Sequence, residues 1–363
     1  MRILLISEAF GGIATYSEQL IREFNKTQGI ETRTVWLFNQ QNDQGENIRK
    51  FIPQARTILS LRNPKKFKDP LMQIISQDSS DIIHFQHDMN IFPSRDNFLA
   101  LLREIRSQTR KKAVITLHSV YTEPSFLELL RDVLLLSDAY IVHQENAKDF
   151  LRSKGMDPEK IFVIPHGSTR IESQPKRMCF FEGKSFKIAM VGFLKRTKGF
   201  EEVLSSIITK KDLEIVIAGM IKEVEVVRHI TELRGEANAT MTIIPRFLTD
   251  QELIALITEA DCIILPYNQN YFSASGILHL AIGLGKIVLV SSSPKFKELT
   301  ERIPFCNVKN GNYLKHIEVL QTSPEMKTQL SQKLALFAKD TSWPLVARKT
   351  IRLYQKVLRM PRN

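Results

Sequence analysis

The sequence has few of the features that mark a membrane-spanning, secreted or metal-binding protein. No apolar run approaches the length of a spanning helix, and residues 1–7 are too short an apolar segment for a signal peptide, so we expect a first strand there. The three cysteines, Cys179, Cys262 and Cys306, lack zinc-site spacing, which fits a reducing cytoplasm, and Cys262 is predicted to be core because it lies in an apolar run. Without an Asp-x-Asp pair or another acidic metal motif, we expect no metal ion.

Two nucleotide-related motifs are also missing. The first strand is followed by Gly11 and Gly12 and not by G-x-G-x-x-G, which argues against a nicotinamide cofactor, and no nucleic-acid-binding motif is recognisable. The chain nevertheless carries 51 Lys and Arg against 39 Asp and Glu, a formal net charge of +12. A charge of this sign suits nucleic acid, an anionic membrane or phosphate-bearing substrates.

The positive charge is unevenly distributed. Residues 49–69 contain one acid and seven basic residues, which are Arg49, Lys50, Arg56, Arg62, Lys65, Lys66 and Lys68. Residues 346–363 contain six Lys or Arg and no acid. A basic surface suits anionic lipid headgroups when apolar residues interleave with it, here Phe51, Ile52, Ile58, Leu59, Leu61 and Phe67. A solvated helix face explains the same pattern, and the sequence leaves both alternatives open.

Strand and helix patterns alternate along the chain in two sets, which predicts an α/β protein with two parallel sheets. Each set opens with a strand, a loop and a helix, at residues 2–21 and 187–207. Residues 169–185 are rich in Ser, Gly, Pro and Lys, have no periodicity and predict a linker. The predicted domains are therefore residues 1–168 and 186–342, with a C-terminal helical segment, 343–363, that packs back on the first domain.

Several elements have definite signals. Thr249 and Glu252 predict the capped start of a helix over residues 249–260. The apolar spacing predicts a helix over residues 65–77 with Phe67 on its inner face, a strand over 304–308 and a last helix over 345–359.

The chain is organised around residues 265–291, LPYNQNYFSASGILHLAIGLGKIVLVS. An apolar strand ends at Pro266, a Ser- and Gly-containing loop opens a helix, and a buried strand follows. Free N–H groups at a helix start form an anion site, so a phosphate or carboxylate fits at residues 275–277. On spacing alone, an ordinary tight turn between strand and helix is the favoured explanation.

This stretch resembles the donor-binding segment of glycosyltransferase family 4, whose members have the GT-B fold. The match comprises Pro-Tyr at residues 266–267, Ser-Gly-Ile-Leu at 275–278 and Gly-Lys-Ile-Val at 285–288. Residues 192–199, GFLKRTKG, resemble the basic segment of the same family, and Thr116-x-His118 and Gly11-Gly12 match two further motifs. The resemblance covers most of the chain. It implies two Rossmann-like domains facing a central cleft, the first binding the acceptor and the second the nucleotide sugar.

The resemblance also implies roles for single residues. His118, Lys198 and Arg196 are the catalytic candidates, His118 at the donor sugar and the two cations at the departing diphosphate. The donor-binding candidates are Gly12, Gly192, Lys195, Ser273, Ser275, Gly276 and Ile277. His84 is interpreted as structural, and His166 as a hinge feature before the linker. Helix N-termini and Lys or Arg take the place of a metal in such a site, and the nucleotide sugar is a co-substrate, not a cofactor.

The chain departs from the family pattern at three positions. The family has two Glu separated by seven residues, and aligning on Gly276 places Ser273 and Ala281 there. Phe193 stands where the family has an Arg after Gly192, so Lys195 or Arg196 must replace it. These departures leave the donor and the stereochemical outcome open.

The leading hypothesis is a hexosyltransferase that moves a sugar from a UDP- or GDP-sugar to a glycan or lipid-linked acceptor, with retention, in polysaccharide or glycolipid biosynthesis. It would be cytoplasmic and peripheral on the inner face of the membrane, with no nucleic-acid partner. An inverting enzyme would instead need a base from Glu8, Asp88, His118 or Glu123. The alternatives are a catalytically silent GT-B subunit that binds a glycan or a partner, and a sugar-nucleotide epimerase.

Overall fold

The computed structural model describes residues 1–39, 57–61, 63, 66–89, 91–170, 176–183 and 185–361. The chain divides into two compact units. Unit 1 consists of Met1–Gly167, Tyr271–Ala274 and Trp343–Asn363, and unit 2 of Ser168–Asn270 and Ser275–Ser342. Each unit contains a parallel sheet with helices, which confirms the predicted fold class. In the described part of the chain, no helix is both long enough and apolar enough to cross a membrane.

The described residues of unit 1 include a seven-stranded parallel sheet. Its strands are β1 (Arg2–Glu8), β2 (Glu31–Asn39), β3 (Thr57–Leu61), β4 (Ile82–His87), β5 (Lys112–Leu117), β7 (Ala139–Val142) and β8 (Ile161–Val163). The helices of the same part are α1 (Gly11–Asn25), α2 (Lys68–Gln77), α3 (Arg95–Gln108), α4 (Pro124–Leu136) and α5 (Glu145–Ser153). Strands β4, β5 and β7 are buried along their whole length, as expected where helices cover both faces of a parallel sheet.

The strand order in this sheet is β3-β2-β1-β4-β5-β7-β8. Strands β2 and β3 lie on one side of β1, and β4, β5, β7 and β8 lie on the other side. The direction therefore reverses between β1 and β4. In open α/β sheets, the carboxyl ends of the strands at such a reversal are where ligands bind.

Unit 2 is organised in the same way. Its described strands are β9 (Phe186–Val191), β10 (Leu213–Ala218), β11 (Thr240–Ile244), β12 (Cys262–Leu265) and β14 (Ile287–Val290), in the parallel order β11-β10-β9-β12-β14. Its helices are α6 (Phe200–Ile207), α7 (Val224–Glu236), α8 (Asp250–Glu259), α9 (Gly276–Gly283), α10 (Lys297–Arg302), α11 (Tyr313–Thr322) and α12 (Pro324–Asp340). The direction reverses between β9 and β12, which places a predicted ligand site at the ends of these two strands.

Two later segments of the chain belong to unit 1. Strand β13 (Phe272–Ser273) pairs antiparallel with the short strand β6 (Ser119–Val120). Helix α13 (Trp343–Arg359) buries an apolar face in the same cluster as residues of β1. Gly167 allows this packing, because a Cβ atom there would lie 2.1 Å from the indole of Trp343.

The local signals read from the sequence have mixed outcomes. The capping box is confirmed: the Thr249 side chain accepts a hydrogen bond from the backbone N–H of Glu252, whose carboxylate accepts one from the Thr249 N–H, at the start of α8. Cys262 is fully buried, as predicted. The helix predicted over residues 65–77 begins at Lys68.

The predicted strand over residues 304–308 is wrong. Residues Pro304–Cys306 form one turn of 3₁₀ helix, in which Cys306 and Asn307 donate their N–H groups to the carbonyls of Ile303 and Pro304. These bonds consume the donors that a strand would offer, and Pro304 has none. What remains is a single bridge between Asn307 and Val290.

Phe67 does not belong to the predicted basic surface with interleaved apolar residues, so the prediction is wrong for this residue. The ring of Phe67 is completely buried in the core of unit 1, and Leu59 is half-buried in β3. Arg49, Lys50, Phe51, Ile52, Arg56, Arg62 and Lys65, and the side chains of Ile58 and Leu61, lie outside the described residues.

Candidate active site

Three loops of unit 2 meet at the carboxyl ends of its central strands. They are called here the β9 loop (residues 192–199), the β12 loop (266–270) and the β14 loop (291–296). The Asn268 side chain donates to the carbonyl of Arg196 at 3.2 Å, and the Gln269 amide donates to Thr197 Oγ1 at 3.2 Å. Ser293 Oγ donates to the carbonyl of Gln269 at 2.8 Å. The β12 loop is thereby bonded to both of its neighbours.

Glycines allow the β9 loop to approach other backbone segments closely. Gly199 has a φ of +66°, and a Cβ atom there would lie 2.2 Å from the carbonyl oxygen of Pro266. The carbonyl oxygen of Gly192 would lie 1.8 Å from a Cβ atom on Gly219. Gly192, a predicted donor-binding residue, lies against the Lys198 side chain, whose Cε atom would be 3.3 Å from a Cβ atom on it. The loop is therefore fixed by backbone contacts that side chains would prevent.

Lys198 and Ser275, which the resemblance assigns to one anion site, both contact Tyr267. The Lys198 ammonium lies 3.4 Å from the centroid of the Tyr267 ring. The Tyr267 hydroxyl shares a hydrogen bond with Ser275, and Ser275 Oγ accepts a bond of 3.3 Å from the N–H of Leu278 as the N-cap of α9. One aromatic side chain thus connects the cation of the β9 loop to a helix start.

The environment of Lys198 disfavours its charge. Burial lowers the pKa of Lys198 to about 7, and repulsion from Lys195 adds to the effect. Among the described residues, no carboxylate forms an ion pair with Lys198. Burial raises the pKa of Tyr267 to about 12, so its hydroxyl stays protonated. An anion that binds beside this ammonium therefore stabilises the charged form of Lys198.

The structure brings a residue to this cluster that the sequence analysis missed. Lys295, in the β14 loop, is only 6% exposed, and its ammonium donates to Gln269 Oε1 at 2.6 Å. It lies 5.2 Å from the centroid of the Tyr267 ring. Burial lowers its pKa well below the ordinary value, and Lys198 and Lys195 act in the same direction. No sequence pattern marks it, since a lysine in a polar turn is normally solvated.

The other predicted residues of unit 2 are distributed around this cluster. Lys195 is half-buried at the start of the turn Arg196–Lys198. Arg196 is exposed, and its backbone N–H donates to the Glu223 carboxylate at 3.3 Å. Gly276, exposed, and Ile277, half-buried, are the first two residues of α9. The structure thus gathers Lys195, Lys198 and the start of α9, and it leaves Arg196 on the surface.

His118 lies in unit 1 within a chain of buried histidines. Its Nε2 atom is 2.8 Å from Gln86 Oε1, and its Nδ1 atom is 3.3 Å from His143 Nε2. His143 Nδ1 donates to the carbonyl of Ile164 at 3.0 Å, which fixes its tautomer. Burial, and then the neighbouring histidines, lower the pKa of His118 well below its ordinary value. His118 is therefore a neutral hydrogen-bonding group near pH 7.

His84 is a structural residue, in agreement with its interpretation. It is fully buried, its Nε2 atom is 2.7 Å from Thr116 Oγ1, and the hydroxyl of Tyr354 lies 2.5 Å from its Nδ1 atom. Burial lowers the pKa of His84 to about 3. His166 is half-buried, and its Nδ1 atom donates to the carbonyl of Gly167.

Gly12 lies in the first turn of α1, at the carboxyl end of β1. The helix starts at Gly11, whose φ is +85°, and its N-cap residue, Phe10, makes no side-chain hydrogen bond to the helix. Nothing lies within 4 Å of the position that a Cβ atom on Gly12 would occupy. The helix start is therefore open to an approaching group, which suits the predicted anion contact.

Ser273 belongs to unit 1, as Gly12 does, whereas the other predicted donor-binding residues belong to unit 2. It pairs with Ser119 in the β6–β13 ribbon and is 8% exposed. Its buried hydroxyl has no hydrogen-bond partner among the described residues. Ala281, at the second Glu position of the family pattern, is fully buried in α9.

The candidate bases of an inverting enzyme differ in exposure. Glu8 is half-buried at the end of β1, Asp88 is 7% exposed and hydrogen-bonded to Tyr121, and Glu123 is exposed before α4. In the described part of the chain, no group of three or more His, Cys, Asp or Glu side chains is arranged to hold a metal ion.

Comparisons with known proteins support the resemblance. The model of Glycosyltransferase Family 4 matches residues 10–168. A search of curated proteins finds no matching sequence. The structure of a glycosyltransferase from Rickettsia africae aligns with a TM-score of 0.74 at 17% identity, covering 99% of each chain.

Two further solved structures are similar over nearly the whole length. Sucrose-phosphate synthase from Thermosynechococcus elongatus has a TM-score of 0.73 at 15% identity, over 98% of this chain and 99% of that one. HepE from Anabaena, in complex with UDP, has a TM-score of 0.73 at 13% identity, over 98% of this chain and 100% of that one. The chain therefore has the GT-B fold of these structures, and its residues 10–168 match the model of Glycosyltransferase Family 4.

Proposed function

We propose that this protein is a glycosyltransferase, a hexosyltransferase that moves a sugar from a UDP- or GDP-sugar to a glycan or lipid-linked acceptor, with retention, in the assembly of a polysaccharide or glycolipid. The observation that carries the proposal is the contact of Lys198 and Ser275 with one residue, Tyr267. A cation and a helix start this close together suit a diphosphate, whose charge grows as it leaves. HepE, which has a similar fold, is described with UDP and glucose.

In the proposed reaction, the bond between the anomeric carbon and the phosphate oxygen breaks as the acceptor oxygen bonds to the same face of that carbon. The acceptor proton moves to the released phosphate oxygen. No enzymic nucleophile is needed. Lys198 and Lys195 neutralise the diphosphate, and the N–H groups of Gly276 and Ile277 face its oxygens. The nucleotide sugar is a co-substrate, and the proposal involves no resident cofactor.

The roles proposed in unit 1 follow from its neutral histidine chain. His118 carries no charge to the site in its neutral form, and it hydrogen-bonds a sugar hydroxyl by exchanging its bond to Gln86 or to His143 for one to the sugar. Gly12 offers the uncapped start of α1 to the donor phosphate. Arg196 is proposed as an auxiliary cation that engages the diphosphate from the surface of the β9 loop.

A screen of nucleotide sugars tests the proposal. We expect a UDP- or GDP-sugar to raise the melting temperature and to be slowly hydrolysed, because a ligand that binds only the folded state stabilises it. Lys198→Ala should lower turnover about a hundredfold, the effect of removing one charge-stabilising donor. The matched control is Lys297→Ala, an exposed lysine in α10 paired with Glu301 at 3.6 Å.

Two outcomes would contradict the proposal. Turnover that is unchanged in Lys198→Ala removes this residue from the mechanism. Absence of binding and hydrolysis for every nucleotide sugar supports the second candidate, a silent subunit that binds a glycan or a partner. That candidate is favoured by Ser273 and Ala281, which provide no carboxylate where the family has two.

We also propose that the protein acts in the cytoplasm at the inner face of the membrane. The support is the exposed basic face of α13, formed by Arg348, Lys349, Arg352, Lys356 and Arg359, in a segment without acids. Such a face attracts anionic headgroups, with roughly 1 kcal/mol per basic residue near the surface. Liposomes containing anionic lipid should co-sediment the protein at low salt, and salt should release it. Replacing the five residues by Gln should abolish binding, and sedimentation that is unaffected by this change would contradict the assignment.

A further inference from the structure

A groove lies between the carboxyl-terminal end of α1 and helix α13, within unit 1, and has a volume of about 410 Å³. Its apolar lining comes from Pro344, Ala347 and Ile351, of which the last two are buried. Arg348 and Arg352 line it from the same helix. The groove therefore combines apolar surface with two guanidinium groups.

The net charge of the groove is positive. Arg348 and Arg352 are exposed and four residues apart, so their side chains are neighbours on the surface of α13. Neither of them forms an ion pair with a residue that the structure describes. The acid that lines the groove, Glu23, is already bonded to the Lys26 ammonium at 2.6 Å. Both guanidinium groups thus remain available to an anionic ligand.

The chemistry of this lining indicates the class of ligand. Guanidinium groups bind phosphate through two parallel hydrogen bonds, a geometry that the ammonium of a lysine does not provide. A phosphate ion alone would leave the apolar lining exposed to water. A phospholipid instead presents its phosphate next to glycerol and acyl carbons, which cover apolar surface. The groove therefore fits the phosphate of an anionic phospholipid better than an inorganic anion.

The rest of α13 brings such lipids to the groove. At about 100° per residue, the five basic residues of the helix fall within an arc of about 100°, opposite the face that is buried in the core. Arg348 and Arg352 lie on the side of this arc next to the groove. Lys349 and Lys356 lie on its other side, outside the groove lining. A basic face on one side of a helix attracts the plane of an anionic membrane.

We propose that the groove between α1 and α13 binds the phosphate group of an anionic phospholipid through Arg348 and Arg352. The assignment rests on the proposed location at the membrane and goes beyond it, because it places one specific headgroup site on a face that otherwise attracts lipid only by its charge. The two arginines should therefore contribute more to membrane binding than two other basic residues of α13.

Partitioning of the full chain onto vesicles tests the assignment. The vesicles contain phosphatidylcholine with or without phosphatidylglycerol, and the test variant is Arg348→Gln with Arg352→Gln. The matched control, Lys349→Gln with Lys356→Gln, removes the same charge from exposed positions of the same helix. We expect the control to lower the partition coefficient about 30-fold, through the loss of two charges near the surface. The test variant should lower it about 300-fold, because charged hydrogen bonds to the phosphate are lost as well.

A charge-preserving variant separates the hydrogen bonds from the charge. Arg348→Lys with Arg352→Lys keeps both positive charges and removes the planar donors. It should lower the partition coefficient about tenfold and leave its dependence on salt unchanged, because that dependence reports the charge. Melting temperatures equal to that of wild type should show that these exposed substitutions leave the fold intact.

The outcomes distinguish the groove from its alternatives. Equal losses in the two Gln pairs, with no loss in the Lys pair, overturn the groove site and leave a basic face that acts by charge alone. Calorimetric binding of inorganic phosphate or glycerol 3-phosphate that depends on the two arginines, without binding to vesicles, overturns the lipid assignment. Failure of wild type to bind anionic vesicles overturns the membrane location and the groove with it. The proposed sugar transfer is tested separately, by the screen of nucleotide sugars.

Discussion

Replacing Lys198 by Met should make the unliganded protein more stable below pH 7 while lowering turnover about a hundredfold. The pKa of Lys198 falls from 10.5 to about 7 on folding, chiefly through burial. Between about pH 7 and pH 10.5, Lys198 is therefore protonated in the unfolded chain and neutral in the folded one. The free energy of unfolding therefore rises with pH across this window, and below it the full cost of the buried charge is present.

The magnitude follows from the shift. A fall of about 3.5 units corresponds to roughly 5 kcal/mol at about 1.4 kcal/mol per unit. Because the Lys198 side chain is partly exposed, water screens its charge. We therefore expect the variant to exceed wild type in free energy of unfolding by about 2 kcal/mol at low pH. Met retains the contact with the Tyr267 ring through its thioether and carries no charge.

Denaturant titrations at about pH 6 and about pH 10 measure the effect. The variant should be more stable than wild type at the lower pH and similar at the higher one. Lys297→Met, which changes an exposed lysine, should alter the free energy of unfolding by less than about 0.5 kcal/mol at either pH. A difference between Lys198→Met and wild type that does not depend on pH would refute the reasoning, because it would mean that Lys198 titrates normally in the folded state.

Three further predictions concern stability. Gly199→Ala should destabilise the protein by more than about 1–3 kcal/mol, the cost of backbone strain alone, because its φ is +66° and its Cβ atom would clash with a carbonyl of the β12 loop. The control Gly235→Ala, in open space within α7, should not destabilise. Equal melting temperatures of the two variants would contradict the steric account. Thr249→Ala should cost about 1 kcal/mol by removing the N-cap of α8, and Thr249→Ser should restore it in the same denaturant titration. Tyr354→Phe should lower the free energy of unfolding by about 1–3 kcal/mol, because it removes the hydroxyl that bonds a buried nitrogen of His84. A denaturation midpoint equal to that of wild type would disprove this.

Much of the fold follows from hydrophobic periodicity. Strands such as β4 and β12 are short apolar runs between polar turns, and α8 begins at a readable capping box. The two-residue strands β6 and β13 are too short to have a period, so the sequence does not reveal them. Residues 304–308 have the apolar character of a strand, but the turn at Pro304 decides the structure.

The candidate site was less predictable from the sequence. Motif spacing points to Lys198 and Ser275, because Lys198 precedes Gly199 in a segment that resembles the family's and Ser275 precedes Gly276 at a helix start. Nothing in the sequence indicates that Tyr267 connects them or that Lys295 joins them, since these contacts depend on how three loops from distant parts of the chain meet. Burial of a lysine is a tertiary property, and hydropathy assigns such a residue to the surface.

The position of α13 has a consequence for biosynthesis. Its side chains Trp343, Val346 and Tyr354 complete a core whose other buried members all come from the first 164 residues, among them residues of β1, α1, β4, β5 and β7. During translation, unit 2 can reach its full set of strands while unit 1 still exposes an apolar surface along those early elements. Unit 1 is thus synthesised first but completes its core last. During that interval, chaperones or fast elongation protect its exposed apolar surface from aggregation.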